Sequence, residues 1–219
     1  MLNKIKRYAE RARAAYTLDG MRGLVFCLRE WRWMNKMRHA GLDLEFVDSD
    51  ADALKIGRLG HQATPAPDLS KILKTFAISN TDSIIDVGSG KGGALLSMAG
   101  FPFGRIAGLE FCPEFYRIAK ENILKSGIIN VSLISADATR FEHYADYNYI
   151  YLFNPFFGQV FDDFMHKLRQ SLVSHPRKLT ILYAHPTCHS MVMQHNIFKK
   201  VNEFRLGYYP LFVYVHNPD

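Results

Sequence analysis

The stretch SIIDVGSGKGGALLSMAG, residues 83 to 100, decides the fold of this 219-residue chain. Its first five residues form a short apolar run typical of a buried strand, and the residues after the glycines read as a helix. Gly88, Gly90 and Gly93 match the pattern G-x-G-x-x-G, in which glycines let the backbone turn sharply and approach a pyrophosphate. The stretch therefore predicts a strand, a ligand-binding loop and a helix in succession.

Asp86 changes the ligand that this loop is expected to bind. Its carboxylate stands two residues before Gly88, and at about 4 Å and an effective dielectric constant of about 20 it would repel a pyrophosphate by several kcal/mol. A ligand that carries an ammonium and a sulfonium would instead be stabilised by the acid. The loop therefore favours S-adenosyl-L-methionine over a nicotinamide cofactor, with an NAD-dependent oxidoreductase as the alternative.

The rest of the chain alternates between predicted strands and helices. Apolar strand patterns in RIAGLEF, NVSLISAD, YNYIYLFNP and KLTILYAHP follow the first strand, and helical patterns separate most of them. The last residues read as two strands around Gly207 and Pro210, which indicates an antiparallel hairpin. We therefore expect an α/β fold: a doubly wound, mostly parallel sheet covered by helices on both faces, with a C-terminal hairpin.

Polar residues end three of the later strands, at the edge where a doubly wound sheet binds its ligand. Glu110 can accept hydrogen bonds from both hydroxyls of a ribose, and Asp137 can accept one from the amino group of adenine. Asn154 offers a donor and an acceptor, and Phe156 and Phe157 can wall the place where a methyl group is transferred. The alternatives are a solvated acid at Glu110, a helix cap at Asp137 and core aromatics after Asn154.

With these features in order, residues 60 to 217 resemble the class I, Rossmann-like S-adenosylmethionine-dependent methyltransferases. DVGSGKG looks like their D-x-G-x-G-x-G loop, NPFF is similar to their [D/N]-P-P-[Y/F] motif, and HQATPAPDLSKIL resembles a segment that folds over the cofactor in some members. The resemblance implies a seven-stranded sheet. It also implies that the cofactor is bound by Thr64, Asp86, Gly88, Ser89, Gly90, Gly92, Glu110, Phe111, Asp137, Ala138 and Asn154.

The resemblance further implies catalytic roles for Asn154, Phe156 and Phe157. Asn154 has the identity seen in many amine and amide N-methyltransferases of this family, where it would orient the nucleophile. Phe156 replaces the second proline of the motif, and Phe157 stands at its fourth position. We expect methyl transfer to an unidentified nitrogen or oxygen nucleophile, on a protein or a small-molecule amine.

The segment YAHPTCHS supplies candidate general bases after the fifth strand, because hydroxyl or ammonium nucleophiles must lose a proton. The candidates are Tyr183, His185 and His189. Cys188 lies beside them, but no further ligand is identifiable, so no metal site is expected. Lys91, in the glycine loop, is expected to be solvated, with a contact to the cofactor carboxylate as the alternative.

The first 40 residues carry the basic charge of the chain, with ten Lys or Arg against three acids, a net +7 compared with +6 for the whole chain. Helical spacing predicts two helices separated at Gly20 and Gly23. We expect a basic helical extension over residues 1–45 and a cofactor-binding domain over residues 46–219. The extension either caps the domain or binds an anionic partner or membrane surface, and a non-catalytic S-adenosylmethionine-binding protein that docks through it is a further alternative.

Composition excludes several classes of protein. No run of about 18 apolar residues occurs, so a transmembrane segment is not expected. Three scattered cysteines, Cys27, Cys112 and Cys188, suit a reducing compartment better than a disulfide framework. The expected location is therefore the cytoplasm.

Overall fold

The computed structural model describes residues 2–47, 55, 57–64 and 66–218. Its strands are β1 Ser83–Val87, β2 Arg105–Glu110, β3 Val131–Ser135, β4 Tyr149–Phe153, β5 Leu179–Ala184, β6 Lys199–Leu206 and β7 Tyr209–His216. Its helices are α1 Leu2–His39, α2 Ala66–Leu73, α3 Gly93–Met98, α4 Pro113–Ser126, α5 Gln159–Ser174 and α6 His189–Gln194, with a 3₁₀ helix at His143–Asp146.

The strands form one seven-stranded sheet in the order β3-β2-β1-β4-β5-β7-β6. The first five strands pair in parallel, whereas β7 pairs antiparallel with both β5 and β6. This arrangement confirms the predicted fold class, including the C-terminal hairpin. The strand order reverses between β1 and β4, and a doubly wound sheet binds its ligand beyond the strand ends at such a point.

The central strands are buried on both faces, as expected for a parallel sheet covered by helices. Ile84 and Ile85, adjacent in β1, are fully buried and belong to two different core clusters, one on each side of the sheet. Helix α5 turns Phe161, Phe164 and Leu168 into one of these clusters, at the spacing that places side chains on one helical face. Apolar side chains therefore pack on both faces of the sheet, which fixes the positions of the strand ends.

Helix α1 is kinked where the sequence predicted a boundary. Asp19 and Gly20 have non-helical backbone angles, and Gly20 takes a φ of 56°, which glycine adopts without steric cost. After the kink the helix packs on the hairpin, because the ring of Phe26 lies against Gly207 and meets Tyr208 edge-on at 5.1 Å. The second half of α1 therefore caps the domain, whereas the proposed domain boundary at residue 45 stays a prediction. Among the described residues, no helix is both long and apolar enough to cross a membrane.

Candidate functional site

A cavity of about 560 Å³ lies beyond the carboxyl ends of β1, β2 and β4. Its walls are the glycine loop, the residues after β2, the segment 58–64 and the turn at Pro155 and Phe156. The size falls within the roughly 300–1,000 Å³ of small-molecule and cofactor sites. The cavity thus occupies the ligand position that the fold predicts.

The glycine loop requires glycine because other chain segments press against it. Gly88 and Gly90 have φ angles of 75° and 54°, in the left-handed region. A Cβ at Gly88 would lie 2.3 Å from the Cβ of Pro155, and one at Gly90 would lie 2.3 Å from Nδ1 of His61. The loop is therefore packed between the turn after β4 and the segment that precedes α2.

Two buried carboxyl groups, those of Asp86 and Glu110, line the cavity. Asp86 is 3% exposed, and burial followed by the charge of Glu110 raises its pKa well above the ordinary value. Burial also raises the pKa of Glu110, although hydrogen bonds from the backbone N–H groups of Cys112, at 2.8 Å, and Gly90, at 2.7 Å, oppose this shift. Within the described ranges Asp86 has no ion-pair partner, so its carboxyl group stays available to a ligand.

The segment 57–64 crosses the cavity and brings Thr64 to it. The hydroxyl groups of Thr64 and Tyr151 lie 3.1 Å apart in the interior. The backbone N–H of Leu59 donates to the carbonyl of Pro155 at 3.2 Å, which ties the segment to the turn after β4. Gln62 lines the cavity too, while its Nε2 donates to the hydroxyl of Tyr209 at 3.0 Å.

Asp137 lies at the rim with its carboxylate already engaged. Oδ2 accepts a hydrogen bond from Arg58 at 2.8 Å, and Oδ1 accepts from the backbone and hydroxyl of Thr139 at 2.9 and 2.8 Å. Burial alone would raise the pKa of Asp137, but the bonds from Thr139 and the Arg58 charge lower it below the ordinary value. Asp137 itself does not line the cavity, whereas its neighbours do, including Ala138, which was predicted to bind the cofactor. The predicted contact of Asp137 with adenine stays a prediction.

Arg58 also covers Phe111, which the sequence placed at the cofactor. Its guanidinium carbon lies 3.6 Å from the centroid of the Phe111 ring, a cation–π contact. Phe111 is 47% exposed and lines the cavity, so its other face can receive a planar ligand. Sequence reasoning missed Arg58, because nothing local marks a residue that bonds to a partner 79 positions later.

The three predicted catalytic residues are not brought together on one surface. Phe156 is buried and lines the cavity, where it packs against Phe161 and Phe164. Asn154, with a φ of 43°, and Phe157, 37% exposed, are not among the residues that line the cavity.

The side-chain oxygen of Asn154 is already bonded. It accepts a hydrogen bond from the hydroxyl of Thr187 at 2.5 Å and a longer one from Tyr183 at 3.4 Å. Its position therefore depends on the loop that follows β5, and its catalytic role stays a prediction.

The candidate bases are largely engaged elsewhere. His189 Nδ1 lies 2.8 Å from the hydroxyl of Tyr214, and the ring of His185 packs on Tyr209 with centroids 4.7 Å apart. Burial raises the pKa of Tyr183 and lowers that of His185. In the described part of the chain, Cys188 and its neighbouring histidines do not form a metal-ligand group.

His61 is a cavity residue that sequence reasoning did not select. It is 5% exposed, and burial followed by the charge of Lys91 lowers its pKa to about 3, so the ring is neutral at pH 7. Its Nδ1 faces the backbone N–H of Lys91 at 3.4 Å, which leaves the proton on Nε2. That Nε2 is buried without a hydrogen-bond partner among the described residues, and so is Oγ of Ser89.

The expectation that Lys91 is solvated is wrong. Its side chain is 4% exposed, and its ammonium forms a 2.8 Å ion pair with Asp43. Asn122 joins the two segments: its Nδ2 donates to the carbonyls of Asp43 at 2.8 Å and Lys91 at 2.9 Å. The residues after α1 therefore clamp the back of the glycine loop, and Lys91 supports the loop from behind the cavity.

Comparisons with known proteins agree with this architecture. A family model described as a methyltransferase domain matches residues 78–200, more than half of the chain. A comparison with curated proteins gives no match.

Among solved structures, an RNA methyltransferase from Salinibacter ruber in complex with S-adenosyl-L-homocysteine is 17% identical, with a TM-score of 0.53 over 72% of this chain and 95% of that one. A SAM-dependent methyltransferase from Aquifex aeolicus is also 17% identical, with a TM-score of 0.53 over 76% and 93%. The ribosomal protein L11 methylase of Lactobacillus delbrueckii is 15% identical, with a TM-score of 0.53 over 68% and 77%. At these identities the likeness concerns the fold alone.

Proposed function

Because the chain belongs to the methyltransferase-domain family, we propose that it transfers the methyl group of S-adenosyl-L-methionine to a nitrogen or oxygen nucleophile. The observation that carries this proposal is the uncompensated carboxylate of Asp86 beneath the glycine loop, 3% exposed and next to a second buried acid, Glu110. A pyrophosphate would be repelled by these acids, whereas the ammonium of the methionine end would be attracted to Asp86.

Two buried polar atoms support the same cofactor. His61 and Ser89 line the cavity, and Nε2 of His61 and Oγ of Ser89 are buried without a hydrogen-bond partner among the described residues. A buried polar group without a partner costs free energy, about 1–3 kcal/mol, which a hydroxyl or carboxylate of a ligand would recover. S-adenosyl-L-methionine carries both kinds of group.

Each part of the cofactor has a matching part of the cavity. Asp86 and the glycine loop would hold the methionine end, and Glu110 would hold the ribose. The exposed face of Phe111 and the apolar Ala138 would flank the adenine. When bound, the cofactor supplies a methyl group already activated by its sulfonium.

The chain itself then contributes position and exclusion of water. Orientation of two reactants can lower a barrier by about 7–11 kcal/mol, which is enough for transfer to an uncharged nucleophile. Phe156 forms an apolar wall, since it is fixed between Phe161 and Phe164. Asn154, positioned by Thr187, would orient the nucleophile from the side of β4.

Calorimetry with the purified chain tests the cofactor. We expect saturable heat with S-adenosyl-L-methionine and S-adenosyl-L-homocysteine, and none with NAD or NADH. Heat with a nicotinamide alone would favour the oxidoreductase. Formation of S-adenosyl-L-homocysteine when protein and small-molecule amine pools are added would distinguish an enzyme from a binding protein.

We also infer that the outer face of α1 contacts an anionic membrane surface. Phe26 and Glu30 are buried, whereas Met21, Val25 and Leu28 of the same helix are 69%, 53% and 48% exposed. Exposed basic residues, Arg22, Arg32 and Lys36, accompany this apolar row. An amphipathic helix of this kind binds at lipid headgroups by burying its apolar residues while its cations meet the anionic surface.

Vesicle co-sedimentation tests this contact. We expect the chain to pellet with phosphatidylglycerol vesicles and much less with phosphatidylcholine, and Met21→Asp with Leu28→Asp to abolish the difference. The control Leu124→Asp changes an apolar residue on α4 that is 80% exposed and should leave binding intact. Unchanged pelleting of the double variant, or binding to RNA but not to vesicles, would contradict the membrane proposal.

A further inference from the structure

Three metal-ligating side chains meet away from the cavity, at the junction of α5 and α6. Asp162 and His166 lie one turn apart on α5, and His195 directly follows α6 as its C-cap. One ligand atom from each lies within 4.8 Å of the other two. None of the three lines the cavity. We propose that this triad, Asp162, His166 and His195, binds a divalent transition metal of the zinc type.

The distances within the triad suit a metal ion. Oδ1 of Asp162 lies 3.0 Å from Nε2 of His195, and Oδ2 of Asp162 lies 3.4 Å from Nε2 of His166. Tetrahedral zinc, with bonds of about 2.0–2.1 Å, separates neighbouring ligand atoms by roughly 3.3–3.4 Å. Small side-chain rotations would therefore place all three atoms around one ion.

The fold holds two of the three ligands in place before any ion arrives. His195 has a side chain only 6% exposed, and it follows a helix whose Val192 is fully buried in the core. Asp162 is one-third exposed on the first turns of α5, which is anchored by Phe161 and Phe164. Few side-chain conformations must then be lost on binding, which favours affinity.

The third ligand leaves the site open to solvent. His166 is 59% exposed, and its ring meets the ring of His195 edge-on at 4.8 Å. Three protein ligands with water in a fourth position is a coordination that zinc adopts. Two imidazoles and one carboxylate suit divalent transition metals such as zinc, iron, cobalt or nickel, whereas calcium and magnesium take oxygen ligands.

A bound ion would connect α6 to α5 beside the loop that positions Asn154. Residues Thr187 and Cys188 directly precede α6, and the hydroxyl of Thr187 bonds to Asn154. The ion would therefore restrain the segment that begins at the turn after β5. The triad is a structural link in this proposal and contacts no substrate.

Titration of the metal-free chain with zinc chloride in a calorimeter tests the triad. The full chain is first treated with EDTA and dialysed. We expect one saturable zinc site. Its affinity should fall in each of Asp162→Asn, His166→Gln and His195→Gln by at least as much as the loss of an outer-shell partner costs, which is about 10–100-fold. The matched control, Asp163→Asn, alters the next residue of α5, whose carboxylate bonds to Gln159; it should keep the wild-type affinity.

Cobalt chloride provides a second readout that does not depend on stability. Tetrahedral cobalt bound to the triad should give visible absorption bands, which should be absent in His166→Gln, a variant at an exposed position that leaves the core intact. Zinc affinity and cobalt spectra that are the same in His166→Gln, Asp163→Asn and the wild type would overturn the proposal. A complete lack of saturable zinc binding by the wild type would overturn it as well.

Discussion

The acids at the floor and at the rim of the cavity differ in how their charge is balanced. Asp86 is buried without an ion-pair partner among the described residues, and its pKa is raised. Asp137 is held by Arg58 and Thr139, and its pKa is lowered. A carboxylate whose partner is already in the protein stabilises the fold, whereas one without a partner destabilises the unliganded protein and is available to a cation. The contrast therefore separates ligand binding from structural support.

The largest expected effect is the loss of ligand binding on Asp86→Asn. The substitution keeps the shape and removes the charge, so S-adenosyl-L-methionine should lose a charge-assisted hydrogen bond of about 1.5–3 kcal/mol and bind roughly 10–150-fold more weakly. Calorimetry measures this change. Glu114→Gln removes an exposed carboxylate at the edge of the same cavity and should change affinity little.

The unliganded Asp86→Asn variant should be more stable than the wild type at pH 7. A raised pKa means that the stability contributed by the protonated acid is fully present below the unfolded pKa of about 3.8 and is lost as pH rises through the folded value. Urea unfolding at pH 4 and pH 7 tests the sign. A variant that is less stable than the wild type at pH 7 would contradict an uncompensated Asp86.

Next in size is the loss of stability on Asp43→Asn. This change keeps a side-chain oxygen and leaves the Lys91 ammonium, 4% exposed, without its counter-charge. Breaking a fully buried pair costs about 3–5 kcal/mol, and because Asp43 is half exposed we expect about 1–3 kcal/mol. Lys91→Met, which removes the buried charge itself, should cost less. Urea unfolding of both variants checks the order, and equal losses would show that the charge is not the cause.

The two ion pairs also mark the limit of what the sequence predicts. The apolar runs predicted the sheet and the hairpin, and the glycine loop predicted that Asp86 lies at the ligand cavity. These predictions were possible because each feature is encoded by residues that are neighbours in the sequence. Arg58 with Asp137 and Asp43 with Lys91 are separated by 79 and 48 positions, so only the folded chain brings them together. Lysine is rarely buried unless paired, and without its distant partner Lys91 looked solvated. His61 was missed for the same reason, since its importance follows from its burial against Gly90.

A smaller effect is expected for Asn154→Ala. Like Asp137, Asn154 already has a hydrogen-bond partner in the protein, but like Asp86 it is predicted to act on a ligand. The side-chain oxygen of Asn154 is bonded to Thr187, and the residue does not line the cavity. The affinity for the cofactor should therefore change by less than roughly twofold. Turnover should fall at least about tenfold if the residue orients the nucleophile. Steady-state rates together with calorimetric Kd values separate the two. Parallel loss of affinity and turnover would assign Asn154 a structural role only.

The smallest effect concerns the rim. Because the pKa of Asp137 is lowered, its stabilising contribution is present above the unfolded value of about 3.8 and is lost as pH falls through the folded value. Both partners are about one-fifth exposed, 18% for Arg58 and 22% for Asp137, so we expect only about 1 kcal/mol. The stability difference between wild type and Asp137→Asn should thus be constant from pH 5 to 7 and shrink below pH 4, the opposite trend to Asp86. A stability difference that grows as the pH falls would contradict the view that Arg58 stabilises the charge of Asp137.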